Sequence, residues 1–263
     1  MRAHLVAAAL AVVPLLAGCP KPAVRPYPPP SADELMTALR QRAEHLKTLR
    51  MGAKIDYMAH GGDRVRAKAN ILLKRGGKLR IELDSPLGGS LATLTTDGQQ
   101  FSLLDVRANR FLTGPAKACN VARLIRVALP PDDIVAVLMG GAPLGGIVKG
   151  VSWDPNNGGR EVLTLALPDG GEQIIKLDAR DKRWDVVRTE RRDAAGKISW
   201  FVTAEGFKDH GDVRLPDVYD VVEPAHGADV ELKLRSVEPN LELGDELFRL
   251  PPPEGITPEP ADC

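Results

Sequence analysis

Short apolar runs that end in turn-forming residues recur along most of this chain, and this rhythm constrains the possible folds more than any other feature. Between residues 53 and 112 the runs are separated by turns such as HGGD, RGGK and DSPLGG, and the rhythm resumes between residues 160 and 238. Apolar and charged residues alternate within several runs, which places successive side chains on opposite faces of a strand. The sequence therefore predicts a mainly β chain of about eleven antiparallel strands. The clearest apolar positions, which we expect to face the interior, are Leu79, Ile81, Leu83, Val230, Leu232 and Leu234.

Three helices are predicted beside the strands. Ser31 and Glu34 form a capping box, and apolar residues at helical spacing follow up to Gly52, so we expect an amphipathic helix of about five turns. Between residues 117 and 148 the segments NVARLIRVAL and PPDDIVAVLMG also show helical spacing. Two short helices are expected there, in the middle of the strand series.

The expected architecture is a curved antiparallel half-barrel. A sheet of this many strands must either close or cover its edges, and the two short helices could lie across its mouth as a lid. An apolar concave face beneath a lid would form a cavity of the size that holds a lipid chain. Because no second linker interrupts the strands, we expect one domain over residues 31–238, followed by a proline-rich tail over residues 239–263.

The N-terminal residues have the pattern of an export signal. A charge-free apolar stretch runs from Leu5 to Ala17, which is shorter than the roughly 20 residues that span a bilayer. It leads into Leu16-Ala17-Gly18-Cys19, which resembles the lipobox of bacterial lipoproteins. The resemblance implies that residues 1–18 are a signal peptide and that Cys19 carries acyl chains. Residues 19–30, with their VRPYPPP segment, would then form an extended tether. The alternative is an ordinary secretory signal with an incidental cysteine.

An exported lipoprotein would enter an oxidising compartment. Pro20 and Lys21 follow the cysteine, and neither is the aspartate that retains lipoproteins at the inner membrane in the enterobacterial scheme. We therefore expect a lipid-anchored protein of the outer membrane that faces the periplasm. A disulfide between Cys119 and Cys263 is compatible with that compartment, but the sequence leaves open whether the two are bonded.

The sequence contains no convincing pattern for catalysis, metal binding or a cofactor. No two of the four histidines that follow the predicted signal peptide, His45, His60, His210 and His226, have the spacing of metal ligands. The Asp209-His210-Gly211-Asp212 segment is interpreted as a polar turn, because adjacent side chains cannot orient one another as a catalytic base requires. Lys and Arg number 35, as do Asp and Glu, so no global charge would attract nucleic acid. We expect a protein that is not an enzyme.

Two segments resemble one known family. Residues 79–105, LRIELDSPLGGSLATLTTDGQQFSLLD, are similar to the strand, Pro-Leu-Gly loop and strand of the outer-membrane lipoprotein receptor family LolB, and residues 129–144 resemble the helix of that family that lies over its cavity. The resemblance implies the LolA/LolB fold and binding of the acyl chains of lipoproteins or lipids. It also implies that a LolA-like periplasmic carrier is the partner, and that a loop made of Pro86, Leu87 and Gly88 inserts into the membrane. The tail after Asn240 is longer than this family needs.

The sequence is also compatible with other functions and with another placement of Leu87. The half-barrel could be an interaction module of a structural or assembly lipoprotein, which a filled interior or a disulfide across the mouth would favour. A hydrolase has only the turn at His210 in its support. Leu87 could also fold back and cap the edge of the sheet instead of protruding.

Overall fold

The structure is a computed structural model that describes residues 22–58, 64–156, 158–179 and 183–263. The predicted signal peptide, Cys19 and His60 lie outside these residues. Within them, no helix has the length and apolar character needed to cross a membrane.

Strands dominate the described part of the chain. Fourteen of them form a single sheet, in the order β16-β6-β5-β4-β3-β2-β1-β15-β14-β11-β10-β9-β8-β7, while β12 and β13 form a separate hairpin. The bounds of the strands are β1 (Thr48–Met58), β2 (Arg64–Lys74), β3 (Lys78–Asp84), β4 (Ser90–Asp97), β5 (Gln100–Asp105), β6 (Arg110–Pro115), β7 (Ile147–Asp154), β8 (Arg160–Ala166), β9 (Glu172–Asp178), β10 (Asp185–Arg192), β11 (Ile198–Glu205), β12 (Lys208–His210), β13 (Val213–Leu215), β14 (Val218–Glu223), β15 (Ala228–Pro239) and β16 (Pro258–Pro260).

The sheet consists of two meanders that meet at β1 and β15. β1 to β6 pair in chain order, and the second series runs back from β7 to β15, which pairs with β1 along most of its length. All pairings are antiparallel except that of β16 with β6. The mainly β, open antiparallel half-barrel is thus confirmed, but the predicted number of about eleven strands is too low. The prediction missed short strands such as β12, β13 and β16, which lack enough residues to show alternation.

Three α-helices accompany the sheet: α1 (Ala32–His45), α2 (Ala118–Ile125) and α3 (Pro131–Leu138). The capping box is present, since Ser31 Oγ accepts from the Glu34 backbone N–H at 3.1 Å and the Ser31 N–H donates to the Glu34 carboxylate at 2.7 Å. The prediction that α1 continues to Gly52 is wrong. Thr48 already belongs to β1, and Gly52 lies at a β-bulge opposite Ser236.

Residues 22–28, which the sequence assigned to a tether, pack against the second meander. The Ala23 N–H donates to the Pro155 carbonyl at 2.9 Å, and the Trp153 indole N–H donates to the Ala23 carbonyl at 2.9 Å. Arg25 forms a bidentate ion pair with Glu161, whose side chain is fully buried. This described part of the predicted tether is therefore an integral part of the fold, and not a solvated spacer.

The predicted C-terminal tail is also built into the sheet. Asp245 bonds to Lys74 and Lys78 at 2.7 and 2.6 Å, and Phe248, in a short 3-10 helix (Asp245–Phe248), is buried. The tail then adds β16 to the open edge of β6, which protects that edge from pairing with other chains. The pairing of β16 and the bond of Cys263 to Cys119 show that the domain includes the segment predicted as a tail.

Candidate functional site

A cavity of about 330 Å³ lies between the concave face of the sheet and the helices α2 and α3. Strands β1 to β5 and β11, β14 and β15 contribute its walls, and α2 and α3 cover it. Its lining is predominantly apolar, and its volume is at the lower end of the roughly 300–1,000 Å³ range of ligand pockets. The predicted lid over an apolar interior is therefore present.

Four of the six predicted lining residues border this cavity, namely Ile81, Leu83, Val230 and Leu232. Leu79 and Leu234 do not border it. Leu79 is fully buried in the same cluster as Leu49, Leu73 and Phe101, and the partly buried Leu234 packs against that cluster.

The cavity opens at the end of the strands where β1, β3 and β5 finish. Register places Tyr57 opposite both Val65 and Val230, and Asp105 opposite Ala92, so the lining residues of neighbouring strands meet at one rim. Strongly exposed apolar side chains gather at this rim, which is unusual for side chains of this kind next to water. Within the described residues they are Met58, Val65, Leu87 and Val106.

Leu87 protrudes from the loop between β3 and β4. Its side chain is 99% exposed, so it does not fold back to cap the sheet. The loop is nevertheless well formed, because the Gly88 N–H donates to the Ser85 carbonyl at 3.0 Å and the Ser85 N–H donates to the Gly89 carbonyl at 2.9 Å. Gly88 and Gly89 have φ of 105° and 86°, a conformation that favours glycine. Leu87 is thus a solvent-exposed leucine at the tip of a loop that internal hydrogen bonds hold in place.

Helix α2 is fastened at the end remote from the rim. Cys119 and Cys263 form a disulfide with a Cα–Cα distance of 6.3 Å. Beside it, the Asn120 amide donates to the carbonyls of Pro115 and Ala261 at 2.9 and 3.0 Å. Since β6 leaves the rim and ends at Pro115, the disulfide lies away from the mouth and leaves it open.

Helix α3 is tied to the sheet by a buried hydrogen bond. The Tyr219 hydroxyl donates to the Leu138 carbonyl at 2.8 Å, and complete burial raises the pKa of Tyr219. At the other end of α3, burial raises the pKa of Asp133 to about 6, with a smaller contribution from the charge of Asp132. At neutral pH the Tyr219 hydroxyl is therefore protonated and can donate this bond, whereas Asp133 becomes neutral only below about pH 6.

Sequence reasoning missed the basic residues of the mouth. Arg107, in the turn between β5 and β6, and Arg123 and Arg126, at the end of α2, are exposed side chains that line the cavity. Their spacing along the chain carries no periodic signal, because a hairpin turn and a helix end bring them together only in the folded protein.

The two acidic groups of the Asp209–Asp212 segment form ion pairs, while His210 Nε2 is buried without a hydrogen-bond partner among the described residues. Asp209 pairs with Arg214 at 3.5 Å beside the turn at Gly211, and His45 contacts Asp212 at 2.7 Å. The described residues contain no group of three or more potential metal ligands. The Asp209–Asp212 segment is the turn of the β12–β13 hairpin, as the sequence indicated.

Comparisons with known proteins find similarity in structure alone. No protein-family model matches the chain, and no curated protein matches it. A domain named for outer membrane lipoprotein sorting from Vibrio parahaemolyticus superposes with a TM-score of 0.61 at 13% identity, over 82% of this chain and 94% of that one. A DUF1329 family protein from Desulfovibrio piger gives 0.61 at 12% identity, over 83% and 97% of the chains. A LolA superfamily protein from Nitrosomonas europaea gives 0.59 at 10% identity, over 84% and 99%. At such identities the likeness concerns the fold, and this chain has a LolA/LolB-like fold.

Proposed function

We propose that the protein is a lipid-anchored outer-membrane lipoprotein that binds acyl chains in its cavity and helps to receive or insert lipoproteins or lipids. The apolar cavity under α2 and α3, which opens at a rim of exposed apolar side chains, carries this proposal. The anchor would be Cys19, the loop that enters the bilayer would be Pro86-Leu87-Gly88, and a LolA-like carrier would supply the cargo. No covalent chemistry is part of the proposal.

The energetics suit transfer. Burial of an acyl chain contributes about 0.8 kcal/mol per methylene both in an apolar cavity and in a bilayer, so a chain passes between the two at little net cost. The direction of transfer would then depend on contacts at the rim.

The test is binding of an apolar fluorescent probe by the Cys19→Ala protein, with palmitate as competitor. We expect stoichiometric binding and displacement. Ala67 and Ala92 are buried alanines that line the cavity. The Ala67→Leu/Ala92→Leu variant fills part of the space that the chain would occupy, and should lower affinity by about tenfold or more, since several methylenes lose their burial.

Ala166→Leu is the matched control, because Ala166 is exposed on β8 and does not line the cavity. It should bind like the parent. Absence of binding by a correctly folded parent protein would contradict the proposal and favour an interaction module instead.

A further inference from the structure

Three arginines lie at the mouth of the cavity, and binding of an acyl chain alone does not require them. Arg107, Arg123 and Arg126, here called the mouth arginines, line the same cavity as the apolar wall residues and are exposed at its opening. A chain of methylenes offers a guanidinium group nothing to bind. Their presence at the end of an apolar cavity indicates a ligand with a charged end.

The mouth arginines are available for such a ligand. Within the described residues, none of the three lies within ion-pair distance of a carboxylate; Arg123 donates only to the Asn120 side-chain oxygen, at 3.3 Å. The acidic residue that lines the cavity, Asp105, accepts from the Ala108 N–H at 3.0 Å.

A carboxylate at the end of β14 is also engaged elsewhere. Glu223 accepts from the Ala128 N–H at 2.9 Å and contacts His226 at 2.6 Å, so it fastens the segment between α2 and α3. By contrast Arg110, which begins the strand next to the mouth, forms an ion pair with Glu259. Three cations therefore lie at the opening, and the carboxylates of Asp105 and Glu223 already have other hydrogen-bond partners.

Arg126 has a further peculiarity. It follows α2 with φ of 63°, and its N–H donates to the Ala122 carbonyl at 2.9 Å. Glycine or asparagine would take this left-handed position at lower cost, so the backbone gives no reason for an arginine here. The position of the Arg126 side chain at the mouth of the cavity gives a reason for an arginine.

We propose that the mouth arginines form a headgroup site, and that the cargo of the cavity is an anionic phospholipid. The inference rests on the acyl-chain function proposed above and names its ligand class. Guanidinium groups match phosphate oxygens in charge and in bidentate geometry. The lipid part of a triacylated lipoprotein offers only neutral esters and amides, and would leave the three cations without partners. The charge pattern therefore favours phospholipid over lipoprotein as the bound species.

The test compares two lipids with the same palmitoyl chain, lysophosphatidylglycerol and lysophosphatidylcholine, for displacement of the fluorescent probe from the Cys19→Ala protein. We expect at least about tenfold tighter binding of the anionic lipid, as charge-assisted hydrogen bonds contribute on that scale. The triple variant Arg107→Gln/Arg123→Gln/Arg126→Gln should lose this preference, while its affinity for the zwitterionic lipid and its melting temperature stay near those of the parent.

The matched control removes the same charge elsewhere. Arg40, Arg50 and Arg235 are exposed and do not line the cavity, so their triple glutamine variant should keep the preference. Equal binding of both lipids by the parent, or equal loss of preference in the control, would overturn the headgroup site and leave the acyl-chain function intact. Displacement by inorganic phosphate at similar concentrations would show a free-anion site and overturn it too. If neither lipid binds, the proposed function itself fails.

Discussion

Leu87 is the residue on which membrane delivery can be tested most directly. Its side chain is 99% exposed, while the backbone of its loop is held by internal hydrogen bonds. Leu87→Glu should therefore change the free energy of unfolding by less than about 0.5 kcal/mol, as substitutions at exposed sites usually do. A charge at the tip opposes entry into a bilayer, so transfer of bound lipid to liposomes should fail while lipid uptake continues. The measurements are probe binding and lipid transfer on the same preparation.

Ile147 provides the comparison for this experiment. It is another exposed apolar residue, at 80%, and it begins β7 without lining the cavity. Ile147→Glu should leave both uptake and delivery unchanged. If delivery fell equally in both variants, or fell only together with stability, Leu87 would have no specific part in membrane entry.

Single residues also show where local sequence information ends. Leu79, Ile81 and Leu83 follow one alternating pattern, and all three do point inward. Which of them lines a cavity depends on their distance from the rim, because the packed end of the sheet buries Leu79 while the open end leaves Leu83 at the mouth. Alternation predicts the face of a strand and carries no information on packing along it.

Among the elements, the segment at residues 22–28 gives the sharpest prediction. The Glu161 side chain is fully buried, and its carboxylate is paired with Arg25, whose side chain is 20% exposed. Arg25→Met leaves a buried charge without its partner and should cost about 3–5 kcal/mol, measured by urea unfolding.

Arg25→Met/Glu161→Gln removes both charges and should recover most of this loss. Glutamine also keeps an acceptor for Tyr27, whose pKa is raised to about 12 by burial and by the Glu161 charge. A loss below about 0.5 kcal/mol in the single variant would mean that the segment leaves the fold readily, as the tether interpretation supposed.

Helix α3 should make stability depend on pH. Burial in the folded state raises the pKa of Asp133 from its ordinary value of 3.8 to about 6. Between these two pH values the folded protein keeps the proton of this carboxyl, whereas the unfolded chain loses it. The contribution of this group to stability is fully present below pH 3.8 and is lost as pH rises to about 6. Asp133→Asn should gain stability over the parent at pH 7 and little at pH 4, by urea unfolding at both values. The control is Asp132→Asn, because Asp132 is an exposed neighbour on the same turn; its gain in stability between pH 4 and pH 7 should be smaller. If the stability of the parent and of Asp133→Asn changed with pH in parallel, the assignment to Asp133 would be wrong.

The boundaries of α1 show how pattern and packing compete. The capping box at Ser31 is a local contact, and it was predictable. Leu46 and Leu49 fit a helical period as well, but β15 and β2 flank the segment from Thr48 and offer strand partners on both sides. Tertiary pairing therefore ended the helix earlier than its periodicity indicated.

At the scale of the whole molecule, the rhythm of short runs was enough to predict an open β half-barrel with a helical lid. The order of the strands was not predictable, because β15 returns to pair with β1 across most of the chain. The covering of the β6 edge by β16 depends on a tail that carries prolines and no alternation. Long-range pairings of this kind leave no trace in a local window of sequence.

The proposed lipid anchor at Cys19 fixes how the whole domain lies relative to its membrane. Ala23 is hydrogen-bonded to Pro155 and lies four residues after Cys19, a stretch that can span at most about 14 Å. An anchored protein would thus lie close against its membrane. Cys19→Ala removes the acylation site and none of the packed residues, so the domain should keep its melting temperature and move from the membrane fraction to the soluble periplasmic fraction. Arg25→Met, which loosens the segment but keeps Cys19, should remain with the membrane. Retention of the Cys19→Ala protein at the parent level would refute the lipid anchor or require a second attachment, and the rim with Leu87 would then be the first region to test.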